Sequence, residues 1–123
     1  MTHQDYLEYK EFIKENFDRF MAKKNDLWYA YGRTYYQYED ELERGSFTEQ
    51  AVCRILLTSY LVEKTDEMFL GTYTHALQVA KDVLNEPARL DLEEEDKEDL
   101  LKLTEKLLLA LEKIKTHTDP HRA

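Results

Sequence analysis

Few residues in this chain have types and spacings that could do chemistry: four histidines, one cysteine and some spaced carboxylates among 123 residues. Asp40-x-x-Glu43 and Glu63-x-x-Asp66 each put two carboxylates about one helical turn apart. Facing pairs of that kind hold hard divalent cations through oxygen. A di-iron bundle needs Glu-x-x-His pairs instead, and none of His3, His75, His117 or His121 has a glutamate three residues before it. His117-x-x-x-His121 spans Pro120 and has no second ligand pair, which a zinc site requires. Cys53 sits in "AVCRILL", where a buried inert thiol is expected, with Arg54 the only cation beside it. Gly32, Gly45 and Gly71 form no phosphate-cradling loop, and no serine stands at a nucleophile elbow. No catalytic residue, metal ligand or cofactor site is assigned.

The carboxylate pairs carry one resemblance. Asp40-x-x-Glu43 and Glu63-x-x-Asp66 flank Gly45 on consecutive helical segments. That is loosely similar to the E-x-x-E and E-x-x-D pairs of all-helical nucleotide pyrophosphatases of the MazG type. The resemblance implies Mg²⁺ held by Asp40, Glu43, Glu63 and Asp66 and hydrolysis of a nucleotide. The chain departs from the pattern where Glu39-Asp40 replaces the doubled glutamate opening that family's first motif.

Charge and aromatic residues suggest binding rather than catalysis. The net charge is −9, and residues 86–99 hold eight acidic and two basic residues. Within them "DLEEEDKED" places seven carboxylates in nine residues. Acids in the first turn of a helix complement its dipole. That accounts for the start of the run and leaves Glu93, Glu94, Glu95, Asp96, Glu98 and Asp99 as candidate contacts. "YEDELE" adds Glu39, Asp40, Glu41 and Glu43. Such a surface repels a phosphate backbone, so direct nucleic-acid binding is excluded and a basic protein partner is expected. Two acidic segments could also imitate the phosphate spacing of nucleic acid.

The stretch "WYAYGRTYYQY" holds the tryptophan and five of the nine tyrosines. On a helix, Trp28, Tyr31, Tyr35, Tyr38 and Leu42 fall within about 80° and read as core. Tyr29 and Tyr36 share an adjacent face with Arg33, residue types enriched at binding hot spots. Gly32, between the two faces, would admit another backbone.

The elements that must position these residues are helices. Glycine and proline total five, charged residues are 35% and hydrophobic residues 42%. That mix suits amphipathic helices. Thr2 with Asp5, and Ser46 with Glu49, have capping-box spacing. Tyr6, Tyr9, Ile13, Phe17, Phe20 and Met21 recur at helical intervals. Gly45 and Pro87 are stops. Leu100, Leu103, Leu107, Ala110 and Ile114 step 3-4-3-4 as a bundle seam, with Leu109 off the stripe. These signals predict a single all-α domain: a bundle of three long helices, or up to five if the chain breaks at Asn25 and Thr65. The approximate helices are 3–24, 26–44, 47–64, 66–85 and 92–116, with a tail at 117–123. No strand shows alternation.

No run approaches the ~18 apolar residues of a membrane span and no secretory leader is visible. One cysteine forms no internal disulfide, so the cytoplasm, or a host cell's cytosol, is the expected compartment. The reading that gathers most of these features is a small acidic, non-enzymatic binding module. It would inhibit a basic nucleic-acid-handling protein, in the manner of phage anti-defence or toxin-immunity proteins. The alternatives are the Mg²⁺-dependent hydrolase and a structural homo-oligomer that buries its aromatic face against a copy of itself.

Overall fold

The computed structural model describes residues 1–118. Helix α1 runs His3–Lys24, and α2, Leu27–Gln37, folds back on it. A short α3, Glu39–Arg44, leads into α4, Phe47–Val62. A three-residue strand β1, Glu67–Phe69, precedes α5, Leu70–Asn85. A 3₁₀ turn at Pro87–Arg89, helix α6, Glu94–Leu111, and strand β2, Lys115–His117, complete the described chain. The protein is mostly helical, but the expected three long helices are absent among the described residues: breaks at Asn25, Tyr38 and Thr65 divide them.

The break at Asn25 has a local cause. Asn25 ends α1 in the left-handed region at φ 48°. Asparagine tolerates that region better than most residues. Asp26 then caps α2 by accepting from the N–H groups of Trp28 and Tyr29. At Tyr38 the backbone leaves helical values, with φ −112° and ψ 20°, so the expected 26–44 helix becomes α2 and α3. Gly45 stops α3 for a steric reason: a Cβ there would stand 2.5 Å from the Glu41 carbonyl oxygen. Gly32 meets nothing within 4 Å and faces solvent, so it does not admit a second backbone. Both capping boxes form, at Thr2/Asp5 and Ser46/Glu49.

The central element is α4. Every residue from Ala51 to Thr58 is buried, as in a helix enclosed on all sides. It packs against α1, α2, α3, α5 and α6. From α1 come Tyr6, Ile13, Phe17 and Phe20, and from α6 Leu100, Thr104, Leu107 and Leu111. The α6 stripe is thus centred on Thr104, with Leu103 half-buried. Thr104 donates its hydroxyl to the Leu100 carbonyl at 2.7 Å. That bond one turn back avoids an unpaired polar group in the core.

The two strands pair in parallel, Glu67 with Lys115, Met68 with Thr116 and Phe69 with His117. They replace the expected helical turns at residues 66–69 and 112–116 and bring His117 out of the expected tail. The rest of that tail, residues 119–123, lies outside the described residues. Met68 is fully buried, and Phe69 meets Trp28 with ring centroids 4.8 Å apart.

Candidate partner-binding groove

A groove lies where the N-termini of α1 and α4 come together. It encloses about 540 Å³. Asp5, Glu8, Glu49 and Asp91 bring carboxylates to it, and Tyr9, Phe12 and Tyr38 supply aromatic walls. Three of the four acids are held by the fold itself. Asp5 accepts the Thr2 N–H at 3.2 Å, and Glu49 the Ser46 N–H at 3.0 Å. Asp91 pairs with the amino group of Met1 at 3.1 Å. Among the described residues Glu8 is bound by the Gln4 side-chain amide alone, at 3.1 Å and in solvent.

The rings are fixed from behind. Tyr9 and Tyr38 lie 6.1 Å apart, and Tyr38 Oη accepts from the Asn16 amide. Burial raises the pKa of the Tyr9 phenol, and the nearby charges of Glu41 and Glu49 push it further up. Phe12 is 45% exposed, a large apolar side chain off the buried stripe of α1. A concave site with aromatic walls and converging carboxylates suits a cationic side chain, by charge and by attraction to the ring faces.

The acidic residues expected from sequence do not form one cluster. Glu41 turns toward Tyr9 of the groove wall, while Glu93 and Glu95 lie near His3. Glu39 and Asp40 both pair with Arg44 beside Tyr36. Glu43 accepts the Tyr35 hydroxyl at 2.8 Å. Glu94 sits 3.7 Å from Lys97, and Glu98 is exposed.

Two of the acidic residues are tied into the fold. Asp96 is 2% exposed and accepts from His3 Nδ1 at 2.8 Å, which makes it an internal anchor. Asp99 is half-buried and holds α6 to α1, accepting Tyr6 Oη at 2.6 Å and Lys10 Nζ at 2.8 Å. Burial alone would raise its pKa, but those two hydrogen bonds outweigh it and the carboxyl is held below its ordinary range. The Asp96 hydrogen bond raises the pKa of His3, with help from Glu95 and Glu93. His3, Glu93 and Asp96 are also the residues best placed to hold a metal ion, with ligand atoms within 4.8 Å of one another.

The aromatic face divides. Tyr29 packs edge-on against Phe20 of α1 at 6.2 Å, with Lys24 Nζ 5.6 Å from its ring. Arg33 lies 5.7 Å from the same Phe20 ring. Tyr36 is 69% exposed. Of that face, Tyr29 packs on α1 while Arg33 and Tyr36 stay exposed.

The four carboxylates of the MazG-like pattern do not converge. Glu43 is on α3, packed beside α4, and Glu63 lies just past the C-terminal end of α4. Helix α4 is 16 residues long. Glu43 reaches a pocket beside Arg54, nine residues before Glu63, and at a rise of about 1.5 Å per residue that stretch of helix is roughly 13 Å long. Cys53 is buried, which raises its pKa, with the charges of Glu41 and Glu49 adding to the rise, so its thiol is not activated.

Sequence reasoning missed Asp5, Glu8, Tyr9, Phe12, Glu49 and Asp91 as site residues. One signal was available. Phe12 and Leu7 fall off the α1 core stripe, and an off-stripe aromatic on an otherwise charged face is a contact candidate.

Fold and groove describe a small, mostly helical protein with an open cleft at one end. The family model of immunity protein Imm3 matches residues 2–122, and the chain belongs to that family. Membership implies a protein partner. Among the described residues no helix is long and apolar enough to cross a membrane. Comparison with curated proteins and with solved structures returns no match.

Proposed function

We propose that this protein neutralises a basic, nucleic-acid-handling toxin by receiving its lysine or arginine side chains in the groove between α1 and α4. The carrying observation is the set of four carboxylates around aromatic walls, with Glu41 near Tyr9 and Glu93 and Glu95 near His3. A cleft that binds phosphates is basic, and this groove offers it a negative surface at fixed spacing. Tyr36, Glu39 and Asp40 form a second edge of the same contact, with Arg33, Glu43, Glu94 and Glu98 outside the groove. Binding requires no catalysis and no cofactor. The single buried thiol suits a reducing cytoplasm.

The test is complex formation with the cognate toxin at low and high salt, with nucleic acid as competitor. The expected result is an affinity that falls steeply with salt and is reduced when nucleic acid occupies the toxin. Salt-independent binding that tolerates bound nucleic acid would overturn the reading.

A further inference from the structure

The enclosed central helix carries a cation. Arg54 is 6% exposed and lies between Cys53 and Ile55, both fully buried. Burying a charge is costly unless it is paired. Among the described residues no carboxylate lies within 4.0 Å of the guanidinium. Its polar neighbours are phenols. Burial raises the pKa values of Tyr31 and Tyr35, and the Arg54 charge pulls both back down. The guanidinium carbon stands 5.3 Å from the Tyr35 ring centroid. Among the described residues the polar side-chain atoms enclosed without a partner are Thr58 Oγ1 and Ser59 Oγ. The guanidinium nitrogens are not among them, and part of the fork opens to free space.

That space is a second pocket of about 380 Å³, which shares no lining residue with the groove. Leu42 and Val79 give it apolar walls, Tyr35 and His75 border it, and Glu43 lines it while accepting from Tyr35. We propose that this pocket binds a carboxylate carried on an aliphatic chain, with Arg54 gripping it in a bidentate pair. A guanidinium fork matches a planar carboxylate. One positive charge beside the negative Glu43 suits a monoanion and disfavours a dianion such as phosphate. Leu42 and Val79 cover the carbon chain.

Two sources could supply the carboxylate: a free aliphatic acid, or an aspartate or glutamate side chain of the protein partner. The second rests on the partner binding proposed above.

The experiment uses the full chain labelled at arginine, titrated with sodium butyrate, sodium chloride of matched ionic strength and sodium phosphate. Arg54 Nε–H and Tyr35 ring signals should move saturably with butyrate. Melting temperature should rise in step, and phosphate should be at least about tenfold weaker. Arg54→Lys keeps the charge but loses the fork, and should weaken butyrate binding about tenfold. Arg54→Met should abolish the response while leaving the ligand-free melting temperature equal or higher, because it removes a buried charge that no carboxylate offsets. Butyrate acting no differently from chloride on the native chain overturns the proposal, as does an unchanged response in Arg54→Met. With the toxin bound, loss of the butyrate response and a complex weakened about tenfold by Arg54→Met assign the carboxylate to the partner. A persistent butyrate response and an unaffected complex assign it to a free acid. A butyrate response alongside salt-independent toxin binding would overturn the proposed function and leave this site standing.

Discussion

Glu8→Gln isolates the electrostatic role of the groove. Its four carboxylates are not equal. Asp91 is offset by the Met1 amino group at 3.1 Å. Asp5 and Glu49 stand in the first turns of α1 and α4, where each helix end carries about +0.5 charge. Glu8 has no such compensation, so of an effective charge of roughly −2 it supplies about half. One unit charge about 5 Å from a partner cation in water is worth ~0.8 kcal/mol, or about fourfold. Replacing Glu8 by glutamine keeps the shape and the contact with Gln4. The melting temperature should therefore stay within about 1–2 °C. Stopped-flow association with the toxin at about 10 mM salt should slow roughly fourfold, with the dissociation rate changed less than about twofold. At about 1 M salt, where the screening length is ~3 Å, the difference should vanish. An equal slowing at both salt concentrations, or an effect confined to dissociation, would refute the charge-steering argument.

Further expectations test the walls and the frame. Phe12→Ser should leave the melting temperature within about 2 °C but weaken the complex at least about tenfold in titration calorimetry, as for an exposed aromatic anchor. Thr58→Val replaces a fully buried hydroxyl that has no partner. Chemical denaturation should then show stability unchanged or raised by about 1 kcal/mol. Tyr6→Phe removes the 2.6 Å bond to Asp99 while Lys10 remains. It should cost about 1.5 kcal/mol in the same assay, as for a hydrogen bond to a charged group. A change under about 0.5 kcal/mol, below the usual worth of one hydrogen bond, would deny that bond a structural role. Because His3 is raised in the folded state, its contribution is fully present below the unfolded pKa of about 6.5 and is lost as pH rises through the folded value. Melting temperatures across roughly pH 5–8 should fall more steeply in the native chain than in His3→Gln. Asp99 titrates the other way: its contribution is present above about pH 4 and fades as pH falls through the depressed folded value.

The helical class was legible because the α1 stripe and both capping boxes rest on local spacing, and local geometry satisfied them. The strands were not. Three residues show no period, and the partner of Glu67 is Lys115, across two intervening helices. The split at Tyr38 was hidden because the aromatic stripe continues in phase from Tyr35 to Leu42, while the kink comes from the backbone at Tyr38. The dense acidic run misled in part. Sequence shows that Asp96 and Asp99 are carboxylates, but not that α1 lies beside them with His3, Lys10 and Tyr6.

That pairing has a consequence for how the groove arises. Helix α6 holds α1 through Asp96 and Asp99, and this fixes where the N-terminus of α1 meets the loop at Asp91. The same first turn presents Asp5 to the groove while its carboxylate closes a capping box, and Glu49 does likewise on α4. A free glutamate would give up side-chain freedom on meeting a cation. These two are already immobilised by the backbone N–H groups they accept. The caps lower their effective charge, which weakens long-range attraction, but they also remove an ordering cost at contact. Under the proposed binding the groove would separate two tasks: Glu8 would supply the field that speeds encounter, and Asp5 and Glu49 the fixed acceptors that slow escape. Asp5→Asn and Glu49→Gln should accordingly act mainly on dissociation of the complex, the opposite of Glu8→Gln.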